Sequence, residues 1–250
     1  MNSAAEVCVA VESPATQEYG FPGVTAVART ADPARSFWAV PDGRRVLNVA
    51  AAVLVLVAAA PLMLLIALVI KFTSPGPVIY RQTRVGLDRR NEHDIYWQSR
   101  RKFDYGGRLF TMYKFRTMTN SDDGRLQVWA SPGDARITAI GHVLRKYRLD
   151  ELPQMVNVLK GDMNIVGPRP EQPKIFADLR EQVESYTQRQ RVLPGITGWA
   201  QVNQSYDTSV ADVRRKVRLD LEYMQNLSVW RDLKILFLTV PVMLFKRGAI

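Results

Sequence analysis

Thiols and imidazoles are nearly missing from this chain, which has one cysteine, Cys8, and two histidines, His93 and His142, among 250 residues. A single cysteine excludes an intrachain disulfide, and a lone thiol needs a neighbouring base before it has chemistry of its own. Two histidines are too few for a histidine-built metal centre. No glycine-rich loop ends in Gly-Lys-Ser/Thr, and no Gly-x-Gly-x-x-Gly follows a strand-like run. P-loop ATPase and Rossmann readings therefore fall away. Acidic residues are in the minority, 24 against 34 basic ones, for a net charge of +10. Such a balance points to polyanionic partners: nucleic acid, anionic lipid headgroups or phosphorylated substrates. Residues 1–43 lack periodicity, and no basic stretch there precedes an apolar one as in a signal peptide. A poorly ordered leader is expected.

What the chain does have begins with an apolar run, residues 46–70, with no charge and only Asn48 as a polar side chain. As a straight helix it would measure about 37 Å, enough for a bilayer core of roughly 30 Å. Pro61 lies near its middle and removes a backbone donor. Bases flank both ends, Arg44 and Arg45 before, Lys71, Arg81 and Arg84 after, whereas a spanning helix concentrates them on its cytoplasmic side. Those two features favour a re-entrant hairpin, broken at Ala60-Pro61, over a simple span. Residues 81–108 are basic with interleaved aromatics (Tyr96, Trp97, Phe103, Tyr105). Beside a membrane segment this suits a headgroup-facing surface better than a nucleic-acid site.

Residues 109–118 alternate like a strand that puts Lys114 and Arg116 on one face, where two bases could grip a phosphate. Polar residues 119–133 read as a loop, and 137–147 as a helix delivering Arg145. Residues 173–191 look helical, 194–203 glycine-punctuated and then extended, and 210–226 an amphipathic helix. The apolar end, 235–245, is too short to span and fits an interfacial helix.

The chain is organised around residues 145–171, RKYRLDELPQMVNVLKGDMNIVGPRPE. Asp150 and Glu151 stand side by side after three bases, with Asp150 as an expected N-cap and Gly161 as the stop of a short helix. Gly167-Pro168-Arg169-Pro170 is a rigid turn that holds up one arginine. Two ionised carboxylates approach a diphosphate only with positive charge between them, commonly Mg²⁺ held by carboxylate and substrate phosphates. One acid could be a nucleophile and the other its partner. The bland alternative is that both acids cap a helix and pair with Arg145 and Arg148.

KFRTM (114–118), RLDELPQ (148–154), NVLKGDM (157–163), GPRP (167–170) and PGITGWAQVN (194–203), in this order, resemble the bacterial sugar transferase family, the monotopic phosphoglycosyl transferases acting on polyprenol phosphate. The resemblance covers residues 44–247. It implies a helix-rich α+β monotopic membrane protein: a leader (1–43), a re-entrant helix–break–helix hairpin (44–72) and a cytoplasmic catalytic domain with amphipathic interfacial helices (73–250). It implies transfer of a sugar 1-phosphate from a UDP-sugar to undecaprenyl phosphate with release of UMP, as the first membrane step of exopolysaccharide, capsule or O-antigen assembly. By the same resemblance Asp150 is the nucleophile and a Mg²⁺ ligand, and Glu151 its partner. Arg145, Arg169 and Lys114 lie at the substrate phosphates and Ala60-Pro61 is the membrane break; the shared strand face adds Arg116 to the expected phosphate-binding residues. The implied partners are the two substrates and membrane lipids, without nucleic acid; homo-oligomerisation is left open. The implied location is the cytoplasmic face of the bacterial inner membrane. A UDP-releasing glycosyltransferase and a non-catalytic scaffold of polysaccharide assembly are the rivals. Departures are an insertion at 88–105 and Gln204-Ser205-Tyr206 where relatives often have glycine. The leader is too short for the extra helices of large relatives, so the small catalytic form is expected.

Overall fold

The computed structural model describes residues 43–89, 106–119, 134, 136–204 and 209–244. The leader, most of the insertion and most of the 119–133 loop lie outside the described residues.

The apolar run forms helix α1, Gly43–Thr73, with Pro61 inside it. The expected break at Ala60-Pro61 is not a gap, because a proline removes one donor while the rest of a long helical ladder persists. Buried positions Asn48, Ala52, Ile66 and Ile70 form two groups, one near each end. Ala52 packs among Phe110, Met112, Met155, Val158 and Met163, while Ile66 and Ile70 pack on Phe115 and Leu144. Between them Val53, Leu54, Val57, Leu62, Leu64 and Leu65 are exposed.

The bases that precede the apolar run, in the first turn of α1, are tied to the protein. Arg44 donates to Asp232 Oδ2 at 2.9 Å and to the Tyr223 hydroxyl at 2.7 Å, and Arg45 donates to the Val158 carbonyl at 2.6 Å. Asn48, the single polar residue of the run, accepts from the Ile165 N–H at 2.6 Å. A polar side chain in an apolar helix is tolerated when its bonds are satisfied, and here it docks α1 onto a strand.

Strands β1 (Ile79–Val85) and β2 (Leu109–Phe115) pair antiparallel, with Tyr80 opposite Lys114 and Arg84 opposite Phe110. The buried Asn157 carboxamide serves the other edge of β2, accepting from Tyr113 N at 3.1 Å and donating to Thr111 O at 2.7 Å. It thereby does a third strand's work at two backbone groups.

Helix α2, Ala139–Lys146, starts on Thr138, whose hydroxyl accepts from Gly141 N. A 3₁₀ turn, Leu149–Gln154, leads into α3, Met155–Lys160, which Gly161 ends at φ 81°. Asp150 is therefore not an N-cap but lies within the 3₁₀ turn, and Arg148 precedes it in the left-handed region at φ 55°. The chain continues through β3 (Asn164–Val166), α4 (Pro173–Gln182), a second 3₁₀ turn (Tyr186–Arg191), β4 (Gly195–Thr197) and α5 (Trp199–Asn203). It closes with α6 (Val210–Gln225) and α7 (Val229–Leu244). The segment after β4, expected to be extended, is the short helix α5.

Strands β3 and β4 pair in parallel, Asn164 with Gly195 and Val166 with Thr197. The glycines of PGITG are required here, since a Cβ on Gly195 would collide with the Gly167 amide and one on Gly198 with the Gly167 carbonyl. The main core gathers Phe176, Leu179, Tyr186, Val217, Met224 and Ile235 from α4, the second 3₁₀ turn, α6 and α7. Along α7, Trp230, Leu233, Phe237 and Val240 are exposed at helical spacing, an apolar stripe opposite the buried Asp232 and Ile235. The architecture is helix-rich α+β with one long apolar helix, compatible with a monotopic membrane protein.

Candidate active site

Four elements bring the predicted site residues together. The first 3₁₀ turn supplies Asp150 and Glu151, β2 supplies Lys114, the end of α2 supplies Arg145, and the turn after β3 supplies Arg169. Asn157 sets this arrangement by holding α3, and with it the acidic turn, against β2.

The two acids are equipped differently. Glu151 Oε1 accepts from Arg169 Nη2 at 3.0 Å and from Lys114 Nζ at 3.3 Å, with Arg148 Nη1 at 3.8 Å. Burial would raise its carboxyl, but the charges of Arg169, Lys114 and Arg148 together hold it well below the usual carboxylate range. Asp150 is as buried, at 8% exposed, yet no group among the described residues donates to its carboxylate. Burial pushes its carboxyl up, Lys114 opposes that, and the neighbouring Glu151 charge adds to the rise. Beside it, Arg145 Nη1 is buried without a hydrogen-bond partner among the described residues. An unmet acceptor and an unmet donor side by side mark a place for a ligand carrying both charge types.

That chemistry also bears on a metal. No cluster of three or more histidine, cysteine or acidic side chains occurs among the described residues. A cation here would have Asp150 as its protein ligand and draw the rest of its shell from water and substrate phosphate. Mg²⁺ is commonly held this way, so the donor set fits it.

Arg116 does not join the cluster. Strand β2 ends at Phe115, and the Arg116 guanidinium, nearly fully buried, donates to Pro75 O at 2.8 Å and Ser74 O at 2.7 Å. It clamps the turn where α1 leaves its apolar run. The period-two argument paired it with Lys114 on one face, but that holds only while the strand lasts. Arg116→Ala should lower stability by at least about 2 kcal/mol, since buried carbonyls lose charged donors. A melting temperature equal to wild type would contradict the clamp.

Three residues of the surroundings were not singled out by sequence for the site: Arg84, Arg189 and Asp220. Arg84 Nη1 donates to the Pro170 carbonyl at 3.0 Å, and Arg189 Nη2 to the Arg169 carbonyl at 3.0 Å. Arg84 read as a flanking base, and nothing local separates Arg189 or Asp220 from the surface charges around them.

A family profile described as bacterial sugar transferase matches residues 42–246. A UDP-N-acetylgalactosamine-undecaprenyl-phosphate N-acetylgalactosaminephosphotransferase of Aeromonas hydrophila is 40% identical over 206 residues, covering 82% of this chain and 44% of the relative. A UDP-glucose:undecaprenyl-phosphate glucose-1-phosphate transferase of Escherichia coli is 40% identical over 79% of this chain and 39% of its own length. Another of that description, from Caulobacter vibrioides, is 41% identical over 82% of this chain and 71% of its own. The chain thus spans less than half the length of the first two relatives and most of the third. The matched region takes in α1, the acidic turn and the Arg169 turn together, and the chain belongs to the bacterial sugar transferase family.

Proposed function

We propose that this protein transfers a sugar 1-phosphate from a UDP-sugar to undecaprenyl phosphate and releases UMP. The observation that carries this reading is the division of labour in the dyad. Glu151 is saturated by three bases, whereas Asp150 keeps a desolvated carboxylate with no donor among the described residues. The names of the relatives supply the substrate classes.

In this mechanism an Asp150 oxygen attacks the β-phosphorus of the UDP-sugar. The bond from that phosphorus to the bridging oxygen breaks, and UMP leaves with the bridging oxygen and its electrons. The resulting aspartyl phosphosugar is then attacked by a phosphate oxygen of undecaprenyl phosphate, which gives the lipid diphosphate sugar and restores Asp150. Arg145 and Arg169 bind phosphate oxygens. Glu151 orients Arg169 and Lys114 toward the same place. Mg²⁺, held through Asp150, would neutralise diphosphate charge as the two anions meet.

The domain plan follows from α1. A straight helix of its length would reach about 46 Å at 1.5 Å per residue, yet residues near both its ends pack on elements that follow it, and we take residues 73–250 as one catalytic domain. We propose that residues 44–72 enter the bilayer and return on the same side, bending at Ala60-Pro61, where contacts with the domain lapse. The exposed α7 stripe lies in the same interface, on the cytoplasmic face of a bacterial inner membrane.

The test is nucleotide release from purified protein in detergent with undecaprenyl phosphate, Mg²⁺ and a panel of UDP-sugars. Lipid-dependent UMP is the expected product. UDP in its place would replace this reading with direct glycosyl transfer.

A further inference from the structure

The backbone beneath Arg169 is held by a second charged cluster that takes no part in the chemistry above. Arg189 comes from the second 3₁₀ turn, and its side chain is only 1% exposed. Besides its bond to the Arg169 carbonyl at 3.0 Å, it donates through Nε to Asp220 Oδ2 at 2.7 Å and through Nη1 to the Tyr186 hydroxyl at 3.0 Å. The next carbonyl, that of Pro170, accepts from Arg84 Nη1 at 3.0 Å. One residue on, the Glu171 carbonyl accepts from Val85 N at 2.9 Å, and its carboxylate accepts from Lys216 Nζ at 2.8 Å. Three consecutive residues are thereby tied to β1, the second 3₁₀ turn and α6.

Two features of the turn explain why such fixing is needed. Pro168 and Pro170 have no N–H, so the turn's register depends on its carbonyls and on the few amides left. Arg169 itself reaches outward: its side chain is 30% exposed where it meets Glu151, so side-chain packing alone does not set its direction. A planar guanidinium gripping three acceptors in fixed directions supplies what the turn lacks. Stability does not demand an ion pair here, because apolar residues of equal volume commonly serve as well in a buried site.

We propose that Arg189, locked by Asp220, is a positioning residue that aims Arg169 at the substrate phosphate, with Arg84 doing the same through the Pro170 carbonyl. This rests on the phosphate-binding role proposed for Arg169. Charge alone is not enough for the task. Lysine keeps a cation opposite Asp220 but loses the fork, so it cannot hold the Asp220 carboxylate and the Arg169 carbonyl in the same geometry.

The experiment is a double-mutant cycle between Arg189→Lys and Arg169→Ala, read by steady-state UMP release and by thermal melting. Misaiming a binding group by about 1 Å can lower a rate about 10²-fold, so Arg189→Lys is expected to lower kcat by roughly 10- to 100-fold. Its KM for the UDP-sugar should move far less. In the Arg169→Ala background the same change should have almost no further effect, because the group it aims is gone. An equal loss in both backgrounds would overturn the positioning role while leaving the proposed function intact. An Arg169→Ala enzyme as active as wild type would overturn the phosphate role and this inference with it. If Arg189→Lys shows no cooperative melt, Arg84→Lys takes its place in the cycle with the same expected pattern.

Discussion

Asp150→Asn should abolish turnover, lowering kcat by at least about 10³-fold, because an amide cannot form the acyl phosphate of the proposed two-step transfer. The fold should survive the change. Burial, the largest influence, raises the Asp150 carboxyl, with Lys114 opposing it and Glu151 adding to the rise. An acid whose folded pKa lies above its unfolded value weakens the native state at pH values above both, and the penalty disappears below both. Asparagine carries no such penalty, so at neutral pH the variant should melt at the wild-type temperature or higher. Stabilisation accompanied by loss of function is a common signature of a strained functional group. Two measurements separate the steps. Wild-type protein given UDP-sugar without lipid should gain the mass of one phosphosugar, and the variant should not. Turnover within about tenfold of wild type would remove Asp150 from the nucleophile's role.

The second large effect belongs to Arg169→Ala. Removing one preorganised charged donor from developing phosphate charge commonly lowers rates about 10²- to 10³-fold, and a loss of that order in kcat/KM is expected here. Arg169 is also the largest of the charges that hold the Glu151 carboxyl low, which gives a pH signature. A carboxylate with a depressed folded pKa stabilises the protein fully above its unfolded pKa, and that contribution fades as pH falls toward the folded value. The stability gap between wild type and Arg169→Ala should therefore be widest near neutrality. It should narrow as acidification passes below the ordinary glutamate range, about pH 4.5. Chemical denaturation at several pH values would check this, and a gap independent of pH would mean that Arg169 does not hold the Glu151 charge.

Much of the site was legible because its parts are local. The apolar run marked α1, residues 137–147 read as the helix carrying Arg145, and Gly161 stops α3 where its φ of 81° requires. The adjacent acids and the proline-bounded Arg169 needed no tertiary information to stand out. Local rules failed where two states lie close in energy. The turn at Asp150 is 3₁₀ rather than capped α-helix, and the segment after β4 coils into α5 instead of extending.

Residue order alone, then, determined the family motifs, the apolar helix with its central proline, and the concentration of acids and bases around one turn. Propensity and periodicity act within a few residues, and sequence records them directly. Tertiary structure decided which bases reach the dyad. Lys114 meets Glu151 while Arg116, two residues on, meets Ser74 and Pro75. It also decided that Glu151 is satisfied and Asp150 is not, and that Arg189 and Asp220, 31 residues apart, close under Arg169. Charge pairing and desolvation depend on through-space distance and on what excludes water, and both are set only when distant segments pack together.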